Sequence, residues 1–256
     1  MARTENQSVT AVIPARYASQ RFPGKPLANI LGKTLIQRTY ENACRCTVFD
    51  KVIVATDDQR IYDHVCTFTD DVVMTSPECA TGTDRLIEVV RDNDIDASII
   101  VNVQGDEPCL SAEVVEDVVA KLKNDDGAVV ATPVALIKEK EDVISTSVVK
   151  CVFDRNGNAL YFSRASVPSG KTKEKQNEAQ HYRHIGIYAY RRDFLLKYGE
   201  LEDTPLQLTE DLEQLKILEH GFRIKVAIVH DEAIGVDNPE DIKKIETILC
   251  NQNTSL

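Results

Sequence analysis

The sequence predicts a doubly wound α/β domain whose second half carries an antiparallel sub-lobe. Three observations predict it: short β-branched apolar runs recur along the first half, amphipathic stretches of helical period separate them, and the texture changes to hairpins after about residue 145. Runs that are apolar at successive positions suit strands buried on both faces of a parallel sheet, and helices between them cover those faces.

Val9 to Ile13 is the first such run, and a basic, proline-rich loop leads from it to the amphipathic stretch Leu35 to Cys46. Val52 to Ala55 and Val72 to Met74 follow, with helical stretches at Arg60 to Phe68 and Asp84 to Arg91. Ile99 to Val103 and Val129 to Val134 complete the series, separated by the helical stretch Ala112 to Lys123. Beyond it, Ser147 to Phe153 and Ala159 to Ser163 flank Asn156-Gly157, a pair that favours the left-handed conformations of a tight hairpin. Lys171 to Gln180 is polar without an apolar period and reads as a loop. Ile185 to Tyr190 reads as a strand, Leu206 to Leu218 as a helix, Ile224 to Val229 as a strand and Pro239 to Leu249 as the last helix. No repeat or linker divides the chain, so residues 1–256 read as one domain, with the sub-lobe at roughly 147–220.

Composition narrows the function. The formal net charge is −11, which repels nucleic acid and anionic membrane, so an anionic ligand needs a locally basic pocket. No stretch reaches the roughly 18 apolar residues of a membrane span, and no signal-peptide core follows Met1, so a cytoplasmic protein without membrane insertion is expected. The seven cysteines are irregularly spaced and suit reduced packing residues; Cys44 and Cys46, the one tight pair, point to different faces of a helical stretch.

The basic pocket has one obvious address. Pro14-Ala15-Arg16-Tyr17-Ala18-Ser19-Gln20-Arg21-Phe22-Pro23-Gly24-Lys25-Pro26 places three cations immediately after the first buried run, where open α/β sheets bind ligands beyond the carboxyl ends of their strands. Arg16, Arg21 and Lys25 can answer the charge of a triphosphate, and Gly24 admits close backbone approach. A rigid basic turn would use the same prolines and glycine. The loop is not a P-loop, because Leu27 stands where G-x-x-x-x-G-K-[ST] needs its first glycine, and no G-x-G-x-x-G occurs.

The motif Pro14-Ala15-Arg16-x-x-Ser19-x-Arg21-x-Pro23-Gly24-Lys25-Pro26 resembles that of the sugar nucleotidyltransferases that make CMP-activated acidic sugars, specifically the CMP-KDO synthetases, where KDO is 3-deoxy-manno-octulosonate. The similarity continues in order through Ala80 to Arg85, Val101 to Pro108, Ala159 to Ala165, Arg183 to Tyr188, Leu212 to Leu215 and Gly235 to Asp241. Gln20 and Phe22 depart from the family's usual small and aliphatic residues around Arg21, without replacing a cation. The resemblance implies the Rossmann-like nucleotidyltransferase fold, CTP and KDO as substrates, Mg²⁺ as cofactor, a homodimer with contacts through the sub-lobe, and a place in lipopolysaccharide biosynthesis.

Site residues follow in the same way. Asp106 comes just after Ile99 to Val103, at the carboxyl edge of that strand, and a hard oxygen donor there suits Mg²⁺. Asp237 is the second expected ligand; alternatively it caps the last helix, although Asn238 before Pro239 is better placed for that duty. Thr81-Gly82-Thr83-Asp84-Arg85 opens a helix, with Thr83 the expected cap, and the resemblance places this segment against the cytosine. Ala15, Arg16, Arg21, Lys25, Thr81, Arg85 and Asp106 are thus the expected CTP contacts, with Arg16, Lys25 and Asp106 catalytic. For the acidic sugar the resemblance implies Gln104, Arg164, His184, Tyr188, Glu210 and Gln214; a core tyrosine, a structural histidine and a solvated glutamate are the bland readings of Tyr188, His184 and Glu210. The implied reaction is in-line attack of the anomeric hydroxyl on the α-phosphate, with no general base in evidence.

Three competing readings remain open in the sequence. A related nucleotidyltransferase could act on sialic acid or a sugar phosphate. A metal-dependent glycosyltransferase is suggested by Asp94-Ile95-Asp96, but that motif precedes its strand and falls at the amino edge of the sheet. A non-catalytic CTP sensor could share the fold.

Overall fold

The computed structural model describes residues 7–18, 21–230 and 235–253. Packing divides the chain into two compact units, one formed by residues 1–115 and 233–256 and the other by residues 116–232.

The first unit opens with β1 (Val9–Ala15), whose Ala11, Val12 and Ile13 are fully buried. A 3-10 turn at Lys25–Leu27 leads to the hairpin β2 (Asn29–Ile30) and β3 (Lys33–Thr34). Leu31 and Gly32 at its tip both have positive φ, the requirement of a tight two-residue loop. Then come α1 (Leu35–Ala43), β4 (Lys51–Thr56), α2 (Gln59–Val65), β5 (Val72–Met74), α3 (Gly82–Asp92) and β6 (Ile99–Asn102). The strands run parallel in the order β5-β4-β1-β6, with Val12 opposite Ile53 and Asn102. Thr34 and Asp58 cap α1 and α2 through their side-chain oxygens. At α3 the cap is Thr81, not the expected Thr83: Thr81 and Asp84 form a reciprocal capping box that starts the helix two residues earlier and buries Thr83. α4 (Ala112–Lys123) carries the chain onward.

The second unit is organised on β7 (Ala128–Leu136) and continues through α5 (Lys140–Ile144), β8 (Lys150–Phe153), β9 (Ala159–Ser163), α6 (Lys173–Glu178), β10 (Tyr182–His184), β11 (Tyr188–Arg191), α7 (Arg192–Tyr198), α8 (Pro205–Glu210), α9 (Glu213–Glu219) and β12 (Arg223–Val229). β12 pairs parallel along one edge of β7, and β10 and β11 pair antiparallel along the other. β8 and β9 form the antiparallel hairpin expected at Asn156-Gly157, where Gly157 has φ 77° and the Asp154 carboxylate accepts from the Asn156 and Asn158 amides at 2.8 Å each.

Three expectations are corrected here. Lys171 to Gln180 contains α6, which Thr172 caps and which has no buried face, so no apolar period announced it. The strand expected over Ile185 to Tyr190 begins only at Tyr188, because the Thr132 hydroxyl is drawn to the Ile185 and Ile187 carbonyls and interrupts the ladder. The helix expected over Leu206 to Leu218 is two helices, broken where Asp211 turns left-handed at φ 53°.

α10 (Asp241–Asn253) belongs again to the first unit, where Val236 and Ile245 close a buried cluster with Ile30 and Leu35. All seven cysteines are free thiols. Among the described residues no helix is long and apolar enough to cross a membrane.

Candidate active site

In the first unit the loop after β1 borders a cleft of about 260 Å³ lined by Ala15, Arg16, Lys25, Gly82, Gln104 and Asp106, among others. The cleft lies at the carboxyl ends of β1 and β6, since Ala15 ends β1 and Gln104 to Asp106 follow β6. Two glycines let backbone segments meet there. Gly24 is left-handed at φ 73°, and a Cβ on it would press on the Tyr17 ring at 3.1 Å. A Cβ on Gly105 would stand 2.7 Å from the Pro14 carbonyl oxygen, so only glycine permits that approach without movement.

Each cation of the loop is engaged by the protein itself. Arg16 donates to the Cys79 carbonyl at 2.6 Å and the Ala80 carbonyl at 2.8 Å, the residues just before the α3 cap. Lys25 Nζ donates to Asp106 Oδ2 at 2.6 Å and to the Val236 carbonyl at 2.8 Å. The Val236 amide in turn donates to the Asp106 carbonyl, so Asp106 and the segment that carries Asp237 are bonded together. Arg21 meets Asp237 at 2.8 Å in an exposed pair. The Asp237 carboxylate is not a helix cap; Asp241 reaches back to the Asp237 and Asn238 amides instead. Asp94 to Asp96 sits at the other end of the strands, where the Ser8 hydroxyl donates to the Asp96 carbonyl just before β1.

Thr81 and Arg85, expected to face a base, have other duties. The Thr81 hydroxyl and amide are committed to Asp84. The Arg85 side chain is fully buried, donating to Thr75 Oγ1 and, at 2.9 Å, to Asp57 Oδ2, while its Nε is buried with no acceptor. It braces α3 against the loop after β4.

The second unit groups the residues expected at the acidic sugar. The Arg164 guanidinium donates to three main-chain carbonyls, Glu210 at 2.7 Å and Thr146 and Asp211 at 3.1 Å. The Glu210 carboxylate accepts from Ser163 Oγ at 2.7 Å, the Arg164 amide at 2.9 Å and the Tyr161 hydroxyl at 3.3 Å. Burial works against its ionisation, but these donors outweigh burial and hold its pKa below the usual carboxylate value. His184 lies edge-on to Phe162 and beside Tyr188, with Nε2 2.9 Å from the Thr132 hydroxyl. Both His184 and Tyr188 are half-buried by area, yet their rings are desolvated. Burial lowers the His184 pKa to about 3 and raises that of Tyr188 well above its usual value, so both are neutral near pH 7. The Thr132 hydroxyl proton goes to the Ile187 carbonyl, so the His184 Nε2–H donates to Thr132 and Nδ1 is left to accept from a sugar hydroxyl, without charge. Gln214 is buried, and its amide nitrogen has no partner among the described residues.

A cytidylyltransferase family model matches residues 10–228. The chain is a cytidylyltransferase. It is 56% identical over 250 residues to the 3-deoxy-manno-octulosonate cytidylyltransferase of Protochlamydia amoebophila, covering 97% of this chain and 96% of that one. It is 52% identical over 245 residues to the enzyme of the same name from Chlamydia felis, at 95% of each chain. Among solved structures it resembles CMP:2-keto-3-deoxy-manno-octonic acid synthetase complexed with CTP, with a TM-score of 0.89, 38% identity and coverage of 96% of this chain and 99% of the other. A 4-diphosphocytidyl-2C-methyl-D-erythritol synthase from Anaerococcus prevotii, at 15% identity and a TM-score of 0.62, shares the fold.

Sequence reasoning about this cytidylyltransferase missed several polar residues. Asp57 and Thr75, the partners of Arg85, sit at loop positions that carry no motif. Lys150 had a signal: it is a lone cation inside the apolar run Val148 to Phe153 and is fully buried. Thr132 likewise sits within a buried run and holds His184.

Proposed function

We propose that this cytidylyltransferase transfers CMP from CTP to the anomeric hydroxyl of KDO, giving CMP-KDO and pyrophosphate, with Mg²⁺ as its cofactor. The observation that carries the nucleotide half is the cleft at the ends of β1 and β6, with Arg16, Lys25 and Asp106 on its wall. The acceptor rests on the relatives, whose names specify 3-deoxy-manno-octulosonate.

The donor set fits a magnesium ion. Asp106 and Asp237 are hard carboxylate donors on bonded segments, and each now neutralises a cation, Lys25 and Arg21. Mg²⁺ usually takes one or two protein carboxylates and completes its shell with phosphate oxygens and water. When bound, it would supply charge stabilisation to the phosphates and the departing pyrophosphate. Release of Lys25 and Arg21 from their carboxylates leaves both free to meet the triphosphate. Arg16 can exchange the Cys79 and Ala80 carbonyls for anionic oxygens, which form stronger charge-assisted bonds. As the in-line displacement proceeds, charge grows on the oxygen that bridges to pyrophosphate, and Arg16 and Lys25 stabilise it.

In the second unit Arg164, the neutral His184, Tyr188, Glu210 and Gln214 are assigned to the acidic sugar, with Gln104 of the first unit added from the resemblance. The unpartnered Gln214 amide supplies a buried donor for a sugar oxygen. A cytoplasmic location in lipopolysaccharide biosynthesis agrees with seven free thiols. A homodimer is inferred from the resemblance, and sedimentation equilibrium reads it directly.

The test is pyrophosphate release from CTP and magnesium with KDO, sialic acid, a sugar phosphate or no acceptor. KDO-dependent release is expected. Release with another acceptor alone would reassign the substrate, and none at all would leave a CTP-binding protein. Asp106→Asn should cut turnover by roughly 10²-fold, the usual cost of one charge-stabilising partner; near-normal turnover would remove Asp106 from the chemistry.

A further inference from the structure

Lys150 is fully buried, yet no carboxylate among the described residues pairs with it. Its Nζ donates instead to three main-chain carbonyls, Val148 and Arg164 at 2.6 Å and Ser145 at 2.8 Å. Three acceptors demand three N–H bonds, which only the charged ammonium has. A desolvated cation without a counter-ion is expensive to keep, so its place in the fold calls for a reason.

The three carbonyls identify what the charge organises. Ser145 and Val148 belong to the turn before β8, and the Thr146 carbonyl between them accepts from Arg164. Arg164 is gripped from two sides: its carbonyl by Lys150, its amide by the Glu210 carboxylate. Its guanidinium then holds the Glu210 and Asp211 carbonyls at the break between α8 and α9. Gln214, with its unpartnered amide, lies in the first turn of α9. Burial lowers the Lys150 pKa, partly offset by the charge of Glu210, so the ammonium and this carboxylate feel each other without touching.

We propose that Lys150 is a positioning residue for acidic-sugar recognition: without touching the substrate, its ammonium fixes the Arg164 main chain and, through Arg164, the junction of α8 and α9 that precedes Gln214. The inference rests on the assignment of Arg164 and Gln214 to the sugar.

The experiment measures pyrophosphate release at varied KDO and varied CTP for the full-length protein and for Lys150→Met, Lys150→Arg and Arg164→Ala. Lys150→Met should raise KM for KDO by about tenfold or more, as for a lost charge-assisted contact, and leave KM for CTP within about twofold. Lys150→Arg keeps the charge but cannot place three N–H groups on the same carbonyls, so it should recover only part of the loss. An unchanged KM for KDO, or a parallel rise for both substrates, would overturn the proposal. If Lys150→Met does not fold, Lys150→Arg decides alone: a rise confined to KDO supports the role, and no rise removes it. Arg164→Ala separates the two levels. If it leaves KM for KDO unchanged, the sugar assignment itself falls; if only the Lys150 variants are silent, that assignment stands and the positioning role is lost.

Discussion

Replacing His184 with glutamine should remove a measurable part of the protein's acid sensitivity. The folded state holds the His184 pKa at about 3, against an ordinary value of 6.5. Between these values the unfolded chain binds a proton that the native state refuses, so stability is complete above pH 6.5 and falls as pH drops towards 3. Full desolvation would cost about 1.4 kcal/mol at pH 5.5 relative to pH 8. By area the residue as a whole is only half-buried, which reduces the expectation to about 1 kcal/mol. Glutamine can keep the bond to the Thr132 hydroxyl without titrating, while the carboxylates that also titrate there are common to both proteins. Urea denaturation at pH 8 and pH 5.5 should show the wild type losing about 1 kcal/mol more than His184→Gln. Equal losses, or an NMR titration of His184 near 6.5, would refute the neutral, desolvated histidine.

Two further substitutions separate bracing from ligand contact in the first unit. Arg85→Met strands Asp57 and should cost about 3 kcal/mol in denaturant unfolding, with KM for CTP unchanged below the transition; a raised KM at unchanged stability would make Arg85 a base contact after all. Gly105→Ala drives a Cβ against the Pro14 carbonyl, so the Gln104 to Asp106 segment must shift, and pyrophosphate release should fall by about 10²-fold; unaltered turnover would show that the approach is not needed for the chemistry.

The parallel strands were legible because strands buried on both faces are apolar at successive positions, as in Val9 to Ile13 and Ile99 to Val103. The hairpin was legible because Asn156-Gly157 marks a turn between two strand-like runs, although only Gly157 takes the positive φ and the loop spans residues 154–158. What stayed hidden depends on contacts distant in sequence or on local caps. α6 has no buried side, and Thr172 alone marks where it begins. The break at Asp211 puts a left-handed residue inside a helical pattern, and Arg164 holds the freed carbonyls from 47 residues away. In the site, the residue types at the loop were readable, but their present partners were not. Arg21 and Asp237 are 216 positions apart, and Lys25 and Asp106 are 81 apart. Composition likewise carries no information on the protonation of His184, which follows from the rings packed around it.

The first unit is discontinuous in the chain, and synthesis runs in one direction. Residues 116–232 emerge as one uninterrupted stretch, whereas residues 1–115 must wait for Val236 and Ile245 before the cluster around Ile30 and Leu35 can close. Until then Lys25 also lacks the Val236 carbonyl that helps to anchor it. On the ribosome, therefore, the first half of the chain to appear is the last to be finished, and a stalled product that ends before residue 236 would carry an open apolar seam that invites chaperones and proteases.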